Sequence, residues 1–100
     1  LRILVASKNK LTDLPTSIGK LANLSELDLT NNMLTSLPQE IGQLSSLKNL
    51  KLTKNKLTAL PLSLGNISGL KKISAKLNDI PSKNIKVLAK LLPACKIDYK

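Results

Sequence analysis

The chain has 100 residues, which allows one domain, and 16 Lys and Arg residues against 6 Asp and Glu residues give it a net charge of +10. His, Trp and Phe are absent and there is one Cys, which excludes histidine-based catalytic triads, histidine metal sites, intrachain disulfides and cysteine-rich zinc clusters. Apolar residues make up 42% of the chain, too many for a disordered protein, yet no apolar run approaches the ~18 residues of a membrane helix.

A repeat of 23 residues runs through most of the chain. Each repeat opens with a phrase that is apolar at its first, fourth and sixth positions, and an Asn follows at the ninth: Asn9, Asn32, Asn55 and Asn78. The fourth and sixth positions alternate with polar residues, which is the period of a strand with one buried face. This pattern predicts parallel strands at about 3–6, 26–29, 49–52 and 72–75, one in each coil of a solenoid.

A return segment follows each predicted strand. It contains a Leu-Pro pair with a Gly four residues after the Pro, as in Leu37, Pro38 and Gly42. Because Pro and Gly disfavour a long regular helix, we expect turns and short helical pieces there. The Asn at the strand end can both donate and accept hydrogen bonds, so the four Asn residues predict a ladder inside the solenoid.

The last return segment departs from the repeat. Apolar residues recur there at helical spacing: Ile85, Leu88, Leu91 and Leu92. This spacing predicts a capping helix over 82–92, with Ser82 as its N-cap and Pro93 at its end. Leu92, Cys95 and Ile97 then repeat the first, fourth and sixth positions, which predicts a fifth strand at 95–98 with Cys95 in a core position.

Residues 1 to about 80 follow the pattern LxxLxLxxNxLTxLPxxIGxL, which resembles the leucine-rich repeats of intracellular Ras-binding scaffolds, their plant relatives and many bacterial repeat proteins. The resemblance implies an α/β fold: a right-handed solenoid, or horseshoe segment, with five short parallel strands and a C-terminal capping helix. We expect one domain over 1–100, with coils at 1–23, 24–46, 47–69 and 70–91. No polar cap precedes the first strand, so we also expect a fragment of a longer chain and self-association through the open first coil.

The third, fifth and seventh positions of each phrase point away from the core, onto the concave face of the solenoid, and their residue types change from coil to coil. Repeat solenoids use such extended surfaces for binding, so we expect a protein partner to bind there. The candidate partner-binding residues are Glu26, Asp28, Thr30, Asn49, Lys51, Thr53, Lys72, Ser74 and Lys76. Asp28 and Lys51 share a column in adjacent strands, which predicts an exposed ion pair between them.

Charge is divided unevenly along the chain. Residues 1–47 balance to zero, so 48–100 carry the whole net charge of +10. This asymmetry favours a partner with an acidic patch. The second half has no Arg to read base edges and no aromatic residue among its lysines, which argues against specific nucleic-acid recognition. A basic surface that adheres to anionic partners stays open as an alternative.

We recognise no catalytic set, cofactor-binding motif or metal-ligand cluster in the sequence. The predicted function is therefore a protein–protein interaction module and not an enzyme; the alternative is the recognition part of a larger enzyme or GTPase chain. Cys95 is expected to be a core thiol, because there is no His to activate it. The cap also lacks the disulfides usual in secreted animal repeat proteins. We therefore expect a cytoplasmic location, with a secreted or cell-surface origin left open.

Overall fold

The structure, a computed structural model, describes residues 2–99. Five strands of three residues form one sheet in chain order: β1 (Ile3–Val5), β2 (Glu26–Asp28), β3 (Asn49–Lys51), β4 (Lys72–Ser74) and β5 (Lys96–Asp98). All four neighbouring pairs are parallel. Each strand lies within the range that the sequence predicts for it, and the α/β solenoid is confirmed.

Short 3-10 helices form the first three return segments, at Thr16–Lys20, Gln39–Gln43 and Leu62–Asn66. Each begins directly after the Pro of a Leu-Pro pair, whose φ near −68° suits the start of a helical turn. Each ends after five residues, where the next N–H bonds back to the third residue before it. The return segments are therefore short helical pieces, as the Pro and Gly spacing predicts.

The core lies between the sheet and the return segments. The middle residue of each inner strand points into it, and Leu27, Leu50 and Ile73 have no solvent-exposed surface. Leu24, Leu29, Leu34 and Leu44 are equally buried, so each coil adds a layer of aliphatic side chains. Burial of apolar surface against the adjoining coils is the main stabilising contribution to such a fold.

Asn side chains join each coil to the coil before it. The Nδ2 group of Asn55 donates to the carbonyl oxygen of Leu52 in its own coil at 3.0 Å, and to that of Leu29 in the preceding coil at 2.9 Å. Its Oδ1 accepts the N–H of Leu34 at 3.1 Å. The Asn residues of the two adjoining coils repeat these bonds. The predicted ladder is present, and its hydrogen bonds join each Asn side chain to backbone groups of its own coil and of the preceding coil.

The fourth return segment contains the only α-helix of residues 2–99, α1 (Ser82–Leu91), which packs on the third 3-10 helix. The prediction that Ser82 is the N-cap is wrong: Ser82 is the first helical residue, and Pro81 precedes it without a side-chain cap. Pro fits there because its fixed φ leads into a helix and the first N–H groups have no intrahelical partner. Across the whole of residues 2–99, no helix has the length and apolar character needed to span a membrane.

The register of β5 also differs from the prediction. Ile97 lies opposite Ile73, so Ile97 and not Cys95 takes the fourth position of the last coil. A ten-residue α-helix advances less per residue than an extended chain, and this coil needs one extra residue to return to the sheet. Cys95 lies directly before β5, where it is half-buried and packs against the core.

Candidate functional site

The solvent-facing side of the sheet, which we call the concave face, carries the first and third residues of each strand. The register aligns Glu26, Asn49 and Lys72 in one column and Asp28, Lys51 and Ser74 in the next. All of these side chains are exposed or half-buried, whereas the residues between them are buried. Thr30, Thr53 and Lys76 follow two residues after each strand and extend the same surface. The structure thus brings all nine predicted site residues together.

Two ion pairs cross this face diagonally. The Lys51 Nζ lies 3.8 Å from an Oε atom of Glu26, so the predicted Asp28–Lys51 pair is wrong, although these two residues are in register. The shorter Asp28 side chain instead accepts the N–H of Thr30 at 3.0 Å, a local bond typical of Asp where a strand ends. Lys51 and Glu26 are both partly exposed, so their pair contributes only about 0–1 kcal/mol.

The second ion pair joins Lys72 to Asp98, with 3.8 Å between the Nζ and an Oδ atom. The sequence analysis missed it because Asp98 enters the site only through the true register of β5. The outward-facing strand residues that carry charge are Glu26, Asp28, Lys51, Lys72, Lys96 and Asp98. Their three negative and three positive charges balance, so the net charge of the chain lies outside the strands of this face.

Asn49 occupies the middle of the concave face. Its Oδ1 is buried and accepts no hydrogen bond, the one side-chain atom among residues 2–99 for which both statements hold. An unsatisfied buried acceptor costs about 1–3 kcal/mol. This oxygen lies beneath the solvent-facing surface, at the centre of the sheet.

Other groups with chemical potential lie apart from this face. Cys95 lines a cavity of about 240 Å³ together with Gly65, Leu70 and Leu91. Burial raises the pKa of the Cys95 thiol, which lowers the thiolate fraction and with it the reactivity of the sulfur. Over the described residues, no cluster of three or more His, Cys, Asp or Glu side chains has a geometry suited to a metal ion.

Comparison with known proteins identifies the family. The family model described as a leucine-rich repeat region matches residues 1–93, so the chain belongs to the leucine-rich repeat family. No curated protein matches the chain. The family and the fold together support a general role as a protein-interaction scaffold.

Two solved structures are similar to this chain. A leucine-rich repeat protein of Leptospira interrogans has a TM-score of 0.94 and 44% identity over 98% of this chain. An internalin of Listeria monocytogenes has a TM-score of 0.80 and 24% identity over the whole chain, a likeness that shows the fold alone. This chain spans 25% of the length of the first protein and 30% of the second.

Proposed function

We propose that this chain binds a protein partner through the concave face. The proposed contact is centred on Glu26, Asp28, Thr30, Asn49, Lys51, Thr53, Lys72, Ser74 and Lys76. One observation carries the proposal: the buried position between the two outward columns is Leu or Ile in β2, β3 and β4, while the outward positions hold acidic, basic and neutral residues. Residue types on this face can therefore change with the partner at little expense of stability.

The chemistry of the face indicates what a partner would present. Coil two offers the carboxylates of Glu26 and Asp28, and coils three and four offer Lys51 and Lys76. Lys51 is already engaged by Glu26, whereas Lys76 is exposed and forms no ion pair with any residue from 2 to 99. We therefore place the acidic patch of the partner over Lys76.

A matched pair of substitutions tests the proposal. Ser74→Arg puts a large side chain on the concave face, at the end of β4, and Ser68→Arg makes the same change in the exposed turn before β4. A partner is isolated with the wild-type chain, and its Kd for each variant is measured by isothermal titration calorimetry. We expect Ser74→Arg to weaken binding at least ~10-fold, because interface cores tolerate no misfit side chain.

The control variant, Ser68→Arg, shows whether the loss of binding is specific to the concave face. Ser68→Arg adds the same charge and volume and should change the Kd less than ~2-fold. Thermal unfolding of both variants checks that the fold is intact. If Ser68→Arg weakens binding as much as Ser74→Arg, or if neither weakens it, the partner binds elsewhere and the proposal is wrong.

A further inference from the structure

The edge of the sheet where the strands begin carries an excess of positive charge. The residues directly before β1, β2, β3 and β4 are Arg2, Ser25, Lys48 and Lys71. Side chains from the first three coils surround a cavity of about 530 Å³ at this edge, which we call the strand-start groove: Arg2, Asn23, Ser25, Ser46 and Lys48. Its size is that of a ligand pocket, and none of its lining residues is acidic.

The groove contains hydrogen-bond donors that have no partner among residues 2–99. The side chains of Arg2, Asn23, Ser46 and Lys48 make no hydrogen bond or ion pair with any residue that the structure describes. Ser25 is the exception, because its hydroxyl donates to the carbonyl oxygen of Arg2 at 3.1 Å. Two cations, an amide and a hydroxyl therefore line one open cavity, which suits an anionic ligand.

The backbone N–H groups of the groove bear on which class of anion the groove would bind. Phosphate sites are commonly built from free backbone N–H groups, as at helix N-termini and backbone nests. Here the N–H groups of Ser25 and Glu26 both donate to the backbone carbonyl oxygen of Arg2, and those of Lys48 and Asn49 both donate to that of Ser25. The backbone donors directly before β2 and β3 are therefore occupied, and the planar guanidinium of Arg2 can hold a carboxylate through two N–H groups.

The spacing of the cations suits an extended peptide. Arg2 and Lys48 are two strands apart, about 9.6 Å, and Lys71 lies one strand further along the same edge. Carboxylates on one side of an extended segment are about 7 Å apart, a mismatch that long Arg and Lys side chains can span. No aromatic side chain lines the groove, so it offers nothing on which a nucleic-acid base could stack.

We propose that the strand-start groove binds the carboxylates of an acidic peptide segment of a protein partner. This surface is separate from the concave face, because its side chains lie one to three residues before each strand. A partner that covers the concave face and extends over this edge could contact both. Each site would contribute separately to binding, so a result that disproves one proposal leaves the other standing.

The probe is a fluorescein-labelled octapeptide of alternating Glu and Gly, titrated with the whole chain at low salt and followed by fluorescence anisotropy. The test variant is Arg2→Gln with Lys48→Gln, and the matched control is Lys86→Gln with Lys90→Gln on the exposed side of α1. Both variants lose two positive charges, and all four side chains are exposed, so both should fold. We expect the groove variant to weaken binding at least ~5-fold and the helix control less than ~1.5-fold.

Three results would overturn the proposal: no binding of the peptide, equal losses in the two double variants, or full competition by inorganic phosphate at lower concentration than by free glutamate peptide. Vesicles containing phosphatidylserine test whether the groove binds a membrane surface. Binding to vesicles that is sensitive to the groove variant, without binding to the peptide, would assign the groove to a membrane surface instead. Ser74→Arg should leave peptide binding unchanged, which separates this site from the proposed function.

Discussion

At the scale of single residues, one position in each coil has a positive φ, a backbone conformation that most residues other than Gly disfavour. Lys8, Asn31, Lys54 and Leu77 have φ values of 58°, 61°, 64° and 58°, in the left-handed region. Each lies directly before an Asn of the ladder, where the chain leaves the strand and turns towards the return segment. Of the four, Asn31 has the residue type that tolerates this region best. At Lys8, Lys54 and Leu77 the turn geometry therefore runs against the local preference of the residue.

Leu77→Asn should stabilise the chain by about 1 kcal/mol, because the left-handed conformation is strained for Leu and well tolerated by Asn. The Leu77 side chain is 66% exposed, so little burial is lost. The free energy of unfolding in urea measures the effect, and Asn31→Leu should show a loss of similar size. A destabilising Leu77→Asn would mean that the Leu side chain makes packing contacts that outweigh the strain.

Two adjacent residues of β3 should differ sharply in their contribution to stability. Leu50→Ala should lower the free energy of unfolding by about 2–5 kcal/mol, because Leu50 is fully buried. Lys51→Ala should lower it by about 0.5 kcal/mol or less, because Lys51 faces solvent and makes one weak ion pair. Both values come from urea denaturation, and equal losses would contradict the assignment of inner and outer positions.

At the scale of elements, the three 3-10 helices stack through the Gly that each of them contains. A Cβ atom added to Gly42 would lie 2.5 Å from the backbone oxygen of Ser63 in the next coil. A Cβ on Gly19 would meet the backbone oxygen of Glu40 at the same distance, and one on Gly65 would meet the Leu91 side chain of α1. Gly is therefore needed here for close approach between coils.

Gly42→Ala should destabilise the chain by about 1–3 kcal/mol, because the added methyl group pushes adjoining coils apart. Gly69→Ala is the matched control, since a Cβ there meets no atom within 4 Å and its φ is not positive. The control should be neutral or stabilise by up to about 1 kcal/mol through the unfolded chain. Thermal unfolding of both variants gives the comparison, and equal losses would contradict the proposed stacking.

Periodicity alone predicts most of these elements, because buried positions recur every 23 residues and each coil repeats the packing of the last. It fails in the last coil, where the 23-residue period leads to Lys96 and the spacing of apolar residues to Cys95. With α1 the coil is one residue longer than the repeat, and Ile97 takes the fourth position. Periodicity also misses Asn84, whose side chain bonds both the N–H and the carbonyl oxygen of Leu60 and so fastens α1 to the coil before it. That contact depends on how the helix lies over the coil, which no spacing encodes.

In the candidate site, too, the repeat predicts some features and misses others. Column membership of Glu26, Asp28 and Lys51 follows directly from the repeat, and the structure agrees. The choice of partner for Lys51 does not follow, because it depends on side-chain length and on the competing backbone bond of Asp28. Sequence therefore predicts where a side chain lies in a repeat solenoid more reliably than it predicts what that side chain contacts.

At the scale of the whole molecule, the fold separates its charge from its sheet face. The strands of the concave face are neutral, and the positive charge lies on the edges of the sheet and on α1. The cations concerned are Arg2, Lys48 and Lys71 at the strand starts, Lys8, Lys10, Lys54, Lys56 and Lys76 after the strand ends, and Lys83, Lys86 and Lys90 on α1. Under the proposed function, this distribution would steer an acidic partner from several directions, and the sheet face would set contact specificity.

Nuclear magnetic resonance of the ¹⁵N-labelled chain, titrated with its partner, tests the central claim most directly because it reports every backbone amide separately. We predict that the largest chemical-shift changes fall on β2, β3 and β4, at Glu26, Asp28, Asn49, Lys51, Lys72 and Ser74. The amides of the three 3-10 helices and of α1 should change little. Changes concentrated on those helices, with the strands unaffected, would contradict binding through the concave face.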